Sequence, residues 1–104
     1  MSRHLRHKYS AVRTEVDGIK FDSKKEARYY VQLKQRVAAG EVVVFLRQTA
    51  FYLPGGVTYR VDFQEFHADG SVHFIDVKGV QTESFKAKKL MVEAIYAPIK
   101  IEIT

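Results

Sequence analysis

Hydrophobic and polar positions divide the 104-residue chain into two helical segments and several extended ones. Ser23 is a favourable N-cap, and the pattern behind it predicts a helix that runs to about Ala39 and ends at Gly40. The residues expected on its buried face recur at helical spacing. They are Ala27, Tyr30, Leu33 or Lys34, and Val37.

A second helix is predicted from about Glu83 to Tyr96, and Pro98 would end it. Its buried face is expected to carry five apolar residues at helical spacing. They are Ala87, Leu90, Met91, Ala94 and Ile95.

Extended segments fill the remainder of the chain. Glu41 to Gln48 is a nearly continuous apolar run, which predicts a strand buried on both faces. Val57 to Phe66 alternates apolar and polar residues and predicts a second strand. Val72 to Lys78 and Ile99 to Ile103 are the third and fourth predicted strands. Asp17-Gly18, between short extended flanks, predicts a tight turn.

The order of these elements is helix, three strands, helix, strand. We therefore expect an α/β (α+β) fold with an αβββαβ core, in which a mixed central sheet is flanked by two helices. Residues 15–104 would form one domain, and residues 1–14 a flexible basic arm, because no linker or repeat separates a second domain.

The loop between the second and third strands decides which residues face each other. A two-residue turn at Asp69-Gly70 would place Asp62 opposite Val77. A three-residue loop with Gly70 in the left-handed conformation would instead place Asp62 opposite Asp76. We predict the second arrangement, which brings two carboxylates together.

The composition narrows the function classes. The chain has no cysteine, which excludes a thiol nucleophile and a zinc-thiolate site. Its longest apolar run is too short to cross a membrane, and its basic N-terminus lacks the apolar core of a secretory signal, so we expect a cytoplasmic protein.

The net charge of +5 favours a polyanionic partner such as DNA. Eight basic residues are candidates for DNA contacts, although plain solvation stays open for each. They are Arg3, Arg6, Lys8, Lys24, Lys25, Arg60, Lys86 and Lys89.

The candidate chemistry lies in Asp62 and in the segment Asp76-Val77-Lys78. Strand interiors are depleted in aspartate, so two aspartates at matched depth indicate a site. Asp62, Asp76 and the Val77 carbonyl could hold Mg²⁺, for which Mn²⁺ is a possible substitute, and Lys78 could stabilise charge on a phosphate. Such a group is suited to phosphodiester hydrolysis.

Each of these residues also has an ordinary interpretation. Asp62 could pair with Arg60 at the surface, and Asp76 with Lys78 across an exposed strand. Glu26 is a candidate third carboxylate, but Ser23 to Glu26 also fits a capping box. Gln48 could contact a metal-bound water or a phosphate, or be a satisfied edge amide.

The order of Glu26, Asp62, Asp76 and Lys78 resembles the motifs of the PD-(D/E)XK nuclease superfamily. The flanking residues, including Val16-Asp17-Gly18 and Asp76-Val77-Lys78-Gly79, are similar to small phage-type endonucleases related to Holliday-junction resolvases. Val61 replaces the proline of the motif, and the third-strand acid is aspartate.

The resemblance implies a restriction-endonuclease-like fold and a Mg²⁺-dependent DNA endonuclease acting on branched or structured DNA. We expect a homodimer, because symmetric cleavage of a junction needs two active sites and a chain this short offers one. Its expected place is the cytoplasm of a bacterium or phage-infected cell, with no membrane association and no small-molecule cofactor. Two other functions stay open: a non-catalytic nucleic-acid-binding module, and a subunit of a larger DNA-processing complex.

Overall fold

The computed structural model describes residues 13–104, in two units that divide between residues 35 and 36, within the last turn of the first helix. Most of the predicted basic arm, including Arg3, Arg6 and Lys8, lies outside the described residues. No helix within the described part of the chain is long and apolar enough to cross a membrane.

The N-terminal unit contains the hairpin of β1 (Thr14–Val16) and β2 (Ile19–Phe21), followed by helix α1 (Lys24–Ala38). The predicted turn is confirmed, since Asp17 and Gly18 both have positive φ, at 53° and 76°. Positive φ at both central positions is the geometry that suits a two-residue hairpin.

Helix α1 follows the prediction closely. The Ser23 hydroxyl accepts the Glu26 amide at 3.0 Å, which satisfies one of the free amides at the helix start. Ala27, Tyr30 and Leu33 of the predicted stripe are buried, and Lys34 is exposed. Lys34 instead pairs with Asp17 at 2.6 Å. Gly40 ends the helix with φ 84°.

The second unit is built on a four-stranded mixed sheet in the order β3-β4-β5-β6. Its strands are β3 (Val42–Leu53), β4 (Val57–His67), β5 (Val72–Asp76) and β6 (Ile101–Ile103). Strand β4 pairs antiparallel with both β3 and β5, and β6 pairs parallel with β5. The mixed α+β architecture and the element order agree with the sequence prediction.

Strand β3 differs from its prediction in two respects. It is longer than the predicted Glu41 to Gln48, and burial on both faces is wrong, because Val43, Val44 and Leu46 are 64%, 49% and 50% exposed. Strand β3 is an antiparallel edge strand, and antiparallel strands commonly face solvent on one side, whereas burial on both faces is typical of parallel sheets.

Helix α2 (Glu83–Ile95) begins at the N-cap Thr82, whose side chain accepts the Phe85 amide. The buried face is not the predicted one. Phe85 and Val92 are buried and join a core cluster with Tyr59 and Val61, whereas Leu90 is 66% exposed. Ala87, Met91, Ala94 and Ile95 are exposed as well. Phe85 and Val92 form a second, shorter apolar stripe, seven residues apart on one face, and packing against the sheet buries this stripe.

Candidate functional site

The β4–β5 hairpin brings the two aspartates together. Its pairing of Phe63 with Ile75 and the bond from the His67 amide to the Ser71 carbonyl, 2.9 Å, confirm the predicted three-residue loop. Gly70 has the left-handed φ of 90°. The register therefore sets Asp62 opposite Asp76.

Each aspartate accepts an amide from the strand of the other. The Asp62 amide donates to Asp76 Oδ1 at 3.0 Å, and the Val77 amide donates to Asp62 Oδ2 at 2.8 Å. Side chains replace backbone carbonyls as acceptors where the β4–β5 ladder ends. The two carboxylates are thereby fixed against each other by backbone groups.

Strand β4 is irregular at Asp62. Phe74 pairs with Gln64 of β4 and so shares a face of the sheet with it. In a strictly alternating strand, Val61 and Gln64 would lie on opposite faces. Val61 and Phe74 nevertheless belong to one core cluster. Across from Asp62, Gln48 has φ 57°, an unusual conformation for a residue other than glycine. Its side-chain amide lies 3.4 Å from Asp62 Oδ1. The predicted contact residue Gln48 thus adjoins the carboxylate pair.

Asp76 is the most buried of the candidate groups, at 1% exposure. Its Oδ2 accepts a hydrogen bond from the Tyr59 hydroxyl. Burial raises the pKa of Asp76, against the opposing effects of the Asp62 amide and the nearby Lys78 ammonium. The interpretation of Asp76 and Lys78 as an exposed surface pair is therefore wrong.

Asp62 is half-buried and held in a similar environment. Burial raises its pKa as well, while the Val77 amide and the positive charge of Lys78 act in the opposite direction. No ion pair joins Asp62 to Arg60 in the described chain, so the interpretation of Asp62 as a surface partner of Arg60 is wrong. Both aspartates are held mainly by neutral donors.

Lys78 lies beside this pair. Its Nζ is 4.7 Å from the centre of the Phe85 ring, and its charge partly opposes the burial that raises the pKa of both aspartates. The Lys78 amide donates to the Thr104 carbonyl at 3.2 Å, which ties the chain after β5 to the end of β6. The backbone that carries Lys78 is therefore held in place on the sheet.

The carboxylate pair has the donor chemistry of a Mg²⁺ site. Each of the four oxygens accepts one hydrogen bond and keeps a second lone pair for a cation. Within residues 13–104, no group of three or more histidine, cysteine, aspartate or glutamate side chains could hold a metal. Two carboxylates fit Mg²⁺ nonetheless, because its other ligands are commonly water and phosphate oxygens.

The other two predicted ligands have different surroundings. Glu26 belongs to the N-terminal unit, where its amide is capped by Ser23 and its side chain is 6% exposed. Val77 contacts Asp62 through its amide. The role predicted for its carbonyl stays a prediction.

The basic candidates of the described chain are distributed unevenly. Lys24 and Lys25 are exposed in the first turn of α1. Lys86 lies 3.4 Å from Glu83, and Lys89 lies 2.9 Å from Glu93. Arg60, by contrast, lines a cavity.

Sequence reasoning missed two residues near the site. Tyr59 appeared only as an apolar position of β4, and its contact with Asp76 depends on the irregular strand. Lys88 resembles its neighbours in sequence, but it is half-buried and lines the cavity that contains Arg60. No local signal distinguishes it from Lys86 or Lys89.

Comparison with known proteins gives a family without a known activity. Residues 6–104 match the model of a family described as a protein of unknown function (DUF1064), and the chain belongs to that family. No curated protein and no solved structure matches the chain.

Proposed function

We propose that this DUF1064 protein is a metal-dependent DNA endonuclease that hydrolyses phosphodiester bonds. The observation that carries the proposal is the pair Asp62 and Asp76, two adjacent and desolvated carboxylates held by neutral donors. A buried carboxylate is costly unless a positive charge compensates it. A divalent cation would compensate both.

Asp62 and Asp76 would hold Mg²⁺, or Mn²⁺ in its place, with the Val77 carbonyl as a further candidate ligand. When bound, the ion would activate water and neutralise charge on the phosphate. Backbone amides of opposite strands hold the two carboxylates, so their orientation would not depend on flexible side-chain contacts.

Tyr59 would act as a positioning residue. Its hydroxyl donates to Asp76 Oδ2, while the Asp62 amide donates to Oδ1, so both oxygens of the carboxylate are held. Tyr59 also packs against Phe85, with ring centroids 6.0 Å apart. Packing in the core of the second unit thus holds Tyr59 in place, and Tyr59 in turn holds the Asp76 carboxylate.

Lys78 would supply the positive charge that faces the scissile phosphate. Its ammonium acts on both aspartates, so an anion held between these groups would lie within its electrostatic reach. Charge that develops on the phosphate during hydrolysis would be stabilised by this ammonium. Gln48, beside Asp62, is placed to hydrogen-bond a water or a phosphate oxygen.

A restriction-endonuclease-like arrangement and a branched DNA substrate are parts of the same proposal. They are supported by the element order, by the Asp62–Asp76 register and by the motif resemblance. A homodimer would supply the two active sites that symmetric cleavage of a four-way junction requires.

The test is cleavage of end-labelled four-way junction, flap, duplex and single-stranded DNA, with Mg²⁺ or with EDTA. We expect metal-dependent cutting by the wild type, and a loss of about a thousandfold or more in Asp76→Asn and Lys78→Ala. Lys86→Ala is the matched control for removal of one lysine and should still cut.

DNA affinity and circular dichroism of the same variants separate catalysis from folding. DNA binding without cutting, under both Mg²⁺ and Mn²⁺, would contradict the nuclease and favour the binding module. Equal activity of Lys78→Ala and wild type would remove the role given to Lys78.

A further inference from the structure

A cavity of about 250 Å³ lies between β4 and the start of α2 in the second unit. Three basic side chains line it, and no acidic side chain does so within the described chain. The cations are Arg60, Lys78 and Lys88. Three small hydroxyl-bearing residues, Thr58, Thr82 and Ser84, also line it.

Arg60 and Lys88 differ from the neighbouring basic residues of α2. Lys86 and Lys89 each pair with a glutamate of the same helix. Arg60 and Lys88 form no ion pair with any residue of 13–104. Like charges in one cavity repel each other, and an anion bound between them would remove that repulsion.

The chemistry of the cavity suits a phosphate group. Guanidinium, ammonium and hydroxyl groups are the side chains that commonly contact the phosphates of nucleic acids. Cavities for drug-sized ligands begin at roughly 300 Å³, so this one suits a single phosphate and its waters better than a nucleoside.

The cavity adjoins the carboxylate pair through two shared residues. Lys78 lines the cavity and acts electrostatically on Asp62 and Asp76. Tyr59 lines it too, and its hydroxyl contacts Asp76. A strand bound in the cavity would therefore pass next to the carboxylates.

We infer that this cavity binds one backbone phosphate of a nucleic acid, next to the phosphate that is cleaved. Arg60 and Lys88 are the residues that hold it, and Ser84 donates from the start of α2. The inference rests on the proposed nuclease function and deepens it, since the bound phosphate would set the register of the strand across Asp62 and Asp76.

The experiment measures DNA affinity in EDTA by fluorescence anisotropy, with a labelled duplex and a labelled single strand. Lys88→Ala and Arg60→Ala should each weaken binding about tenfold. Each should also reduce the slope of log affinity against log salt by about 1. Lys86 is a candidate DNA contact by sequence, but it is exposed and pairs with Glu83. Lys86→Ala, which removes the same charge from the same helix, should therefore change affinity less than about twofold.

A second measurement uses inorganic phosphate as the probe. In amide NMR spectra, phosphate should shift the Ser84 and Phe85 signals in the wild type and leave them unchanged in the double variant Arg60→Ala/Lys88→Ala. No shift in the folded wild type would overturn the site. Stronger binding of a 5′-phosphorylated strand than of its unphosphorylated form would overturn the assignment to a backbone phosphate.

The outcomes separate the two proposals. DNA affinity is measured in EDTA, where no cleavage is needed. The affinities of Lys88→Ala and Lys86→Ala can therefore be compared even if the wild type never cuts DNA. Equal affinity of Lys88→Ala and Lys86→Ala, with metal-dependent cutting intact, would overturn the phosphate site alone.

Discussion

Glu65 and Asp76 are buried to the same extent, 1% exposed each, on adjacent strands of one sheet, yet their partners differ. Glu65 Oε1 lies 2.8 Å from His67 Nε2 and 3.4 Å from an Arg36 nitrogen. Asp76 accepts hydrogen bonds from an amide and a tyrosine hydroxyl, both neutral.

The difference separates a carboxylate that is compensated within the fold from one that is a candidate for function. The charge of Glu65 has a cationic side chain in direct contact, so its burial is compensated within the fold. The raised pKa of Asp76 shows that its compensation is incomplete despite nearby Lys78. Groups with perturbed pKa values cluster at functional sites. Asp76 is therefore a better candidate for a functional carboxylate than Glu65.

The largest effect on stability is expected from Glu65→Gln. This change replaces a buried charged acceptor by a neutral amide and weakens its contacts with His67 and Arg36, so the free energy of unfolding should fall by about 2 kcal/mol. Urea denaturation at pH 7 measures it. Glu41→Gln is the control, because Glu41 contacts the same Arg36 at 2.6 Å but is exposed. An equal loss in both variants would contradict the structural role of Glu65.

The next effect concerns the metal. If Asp62 and Asp76 hold Mg²⁺, ten times its Kd should stabilise the wild type by about 1.4 kcal/mol. Thermal unfolding with Mg²⁺ and with EDTA should show a higher Tm in Mg²⁺, and Asp76→Asn should lose this rise. The same rise in Asp76→Asn would place the ion elsewhere. Glu65→Gln should still show a higher Tm in Mg²⁺ than in EDTA.

The smallest effect is a gain in stability. Asp76→Asn should raise the free energy of unfolding by about 1 kcal/mol at pH 7 in EDTA. The substitution removes a desolvated charge, and the new side-chain amide oxygen can still accept a hydrogen bond from the Asp62 amide. Between the ordinary carboxyl pKa of 3.8 and its raised folded value, native Asp76 binds more protons than unfolded Asp76.

The stability that Asp76 contributes therefore falls as pH rises through this window. The advantage of Asp76→Asn should be largest above the raised pKa and should shrink as pH falls towards 3.8. Unfolding curves at a series of pH values measure it. A variant less stable than the wild type at every pH would mean that the negative charge itself stabilises the fold.

Local patterns predicted the parts of this protein that depend on near neighbours in sequence. The Ser23 cap, the Asp17-Gly18 turn and the left-handed Gly70 each follow from the preferences of one or two residues. The loop at Gly70 also determined the strand register, and with it the meeting of Asp62 and Asp76. These features were predictable because short-range geometry decides them.

Other features depend on what packs against a segment. The apolar run of β3 looks the same in sequence whether its strand lies at the edge or the centre of a sheet, and only the strand order exposed Val43. Similarly, α2 carries two apolar stripes, and the sheet selected the one with Phe85. Periodicity alone could not choose, since both stripes have helical spacing.

The sequence by itself thus determined the element order, the hairpin register and the two aspartates that meet across it. The tertiary structure decided how deeply Asp76 is buried, that Tyr59 holds it, and that Lys88 joins Arg60 in one cavity while Lys86 does not. The physical reason is that burial and charge compensation depend on residues far apart in the chain, whereas turns and caps are decided by their neighbours.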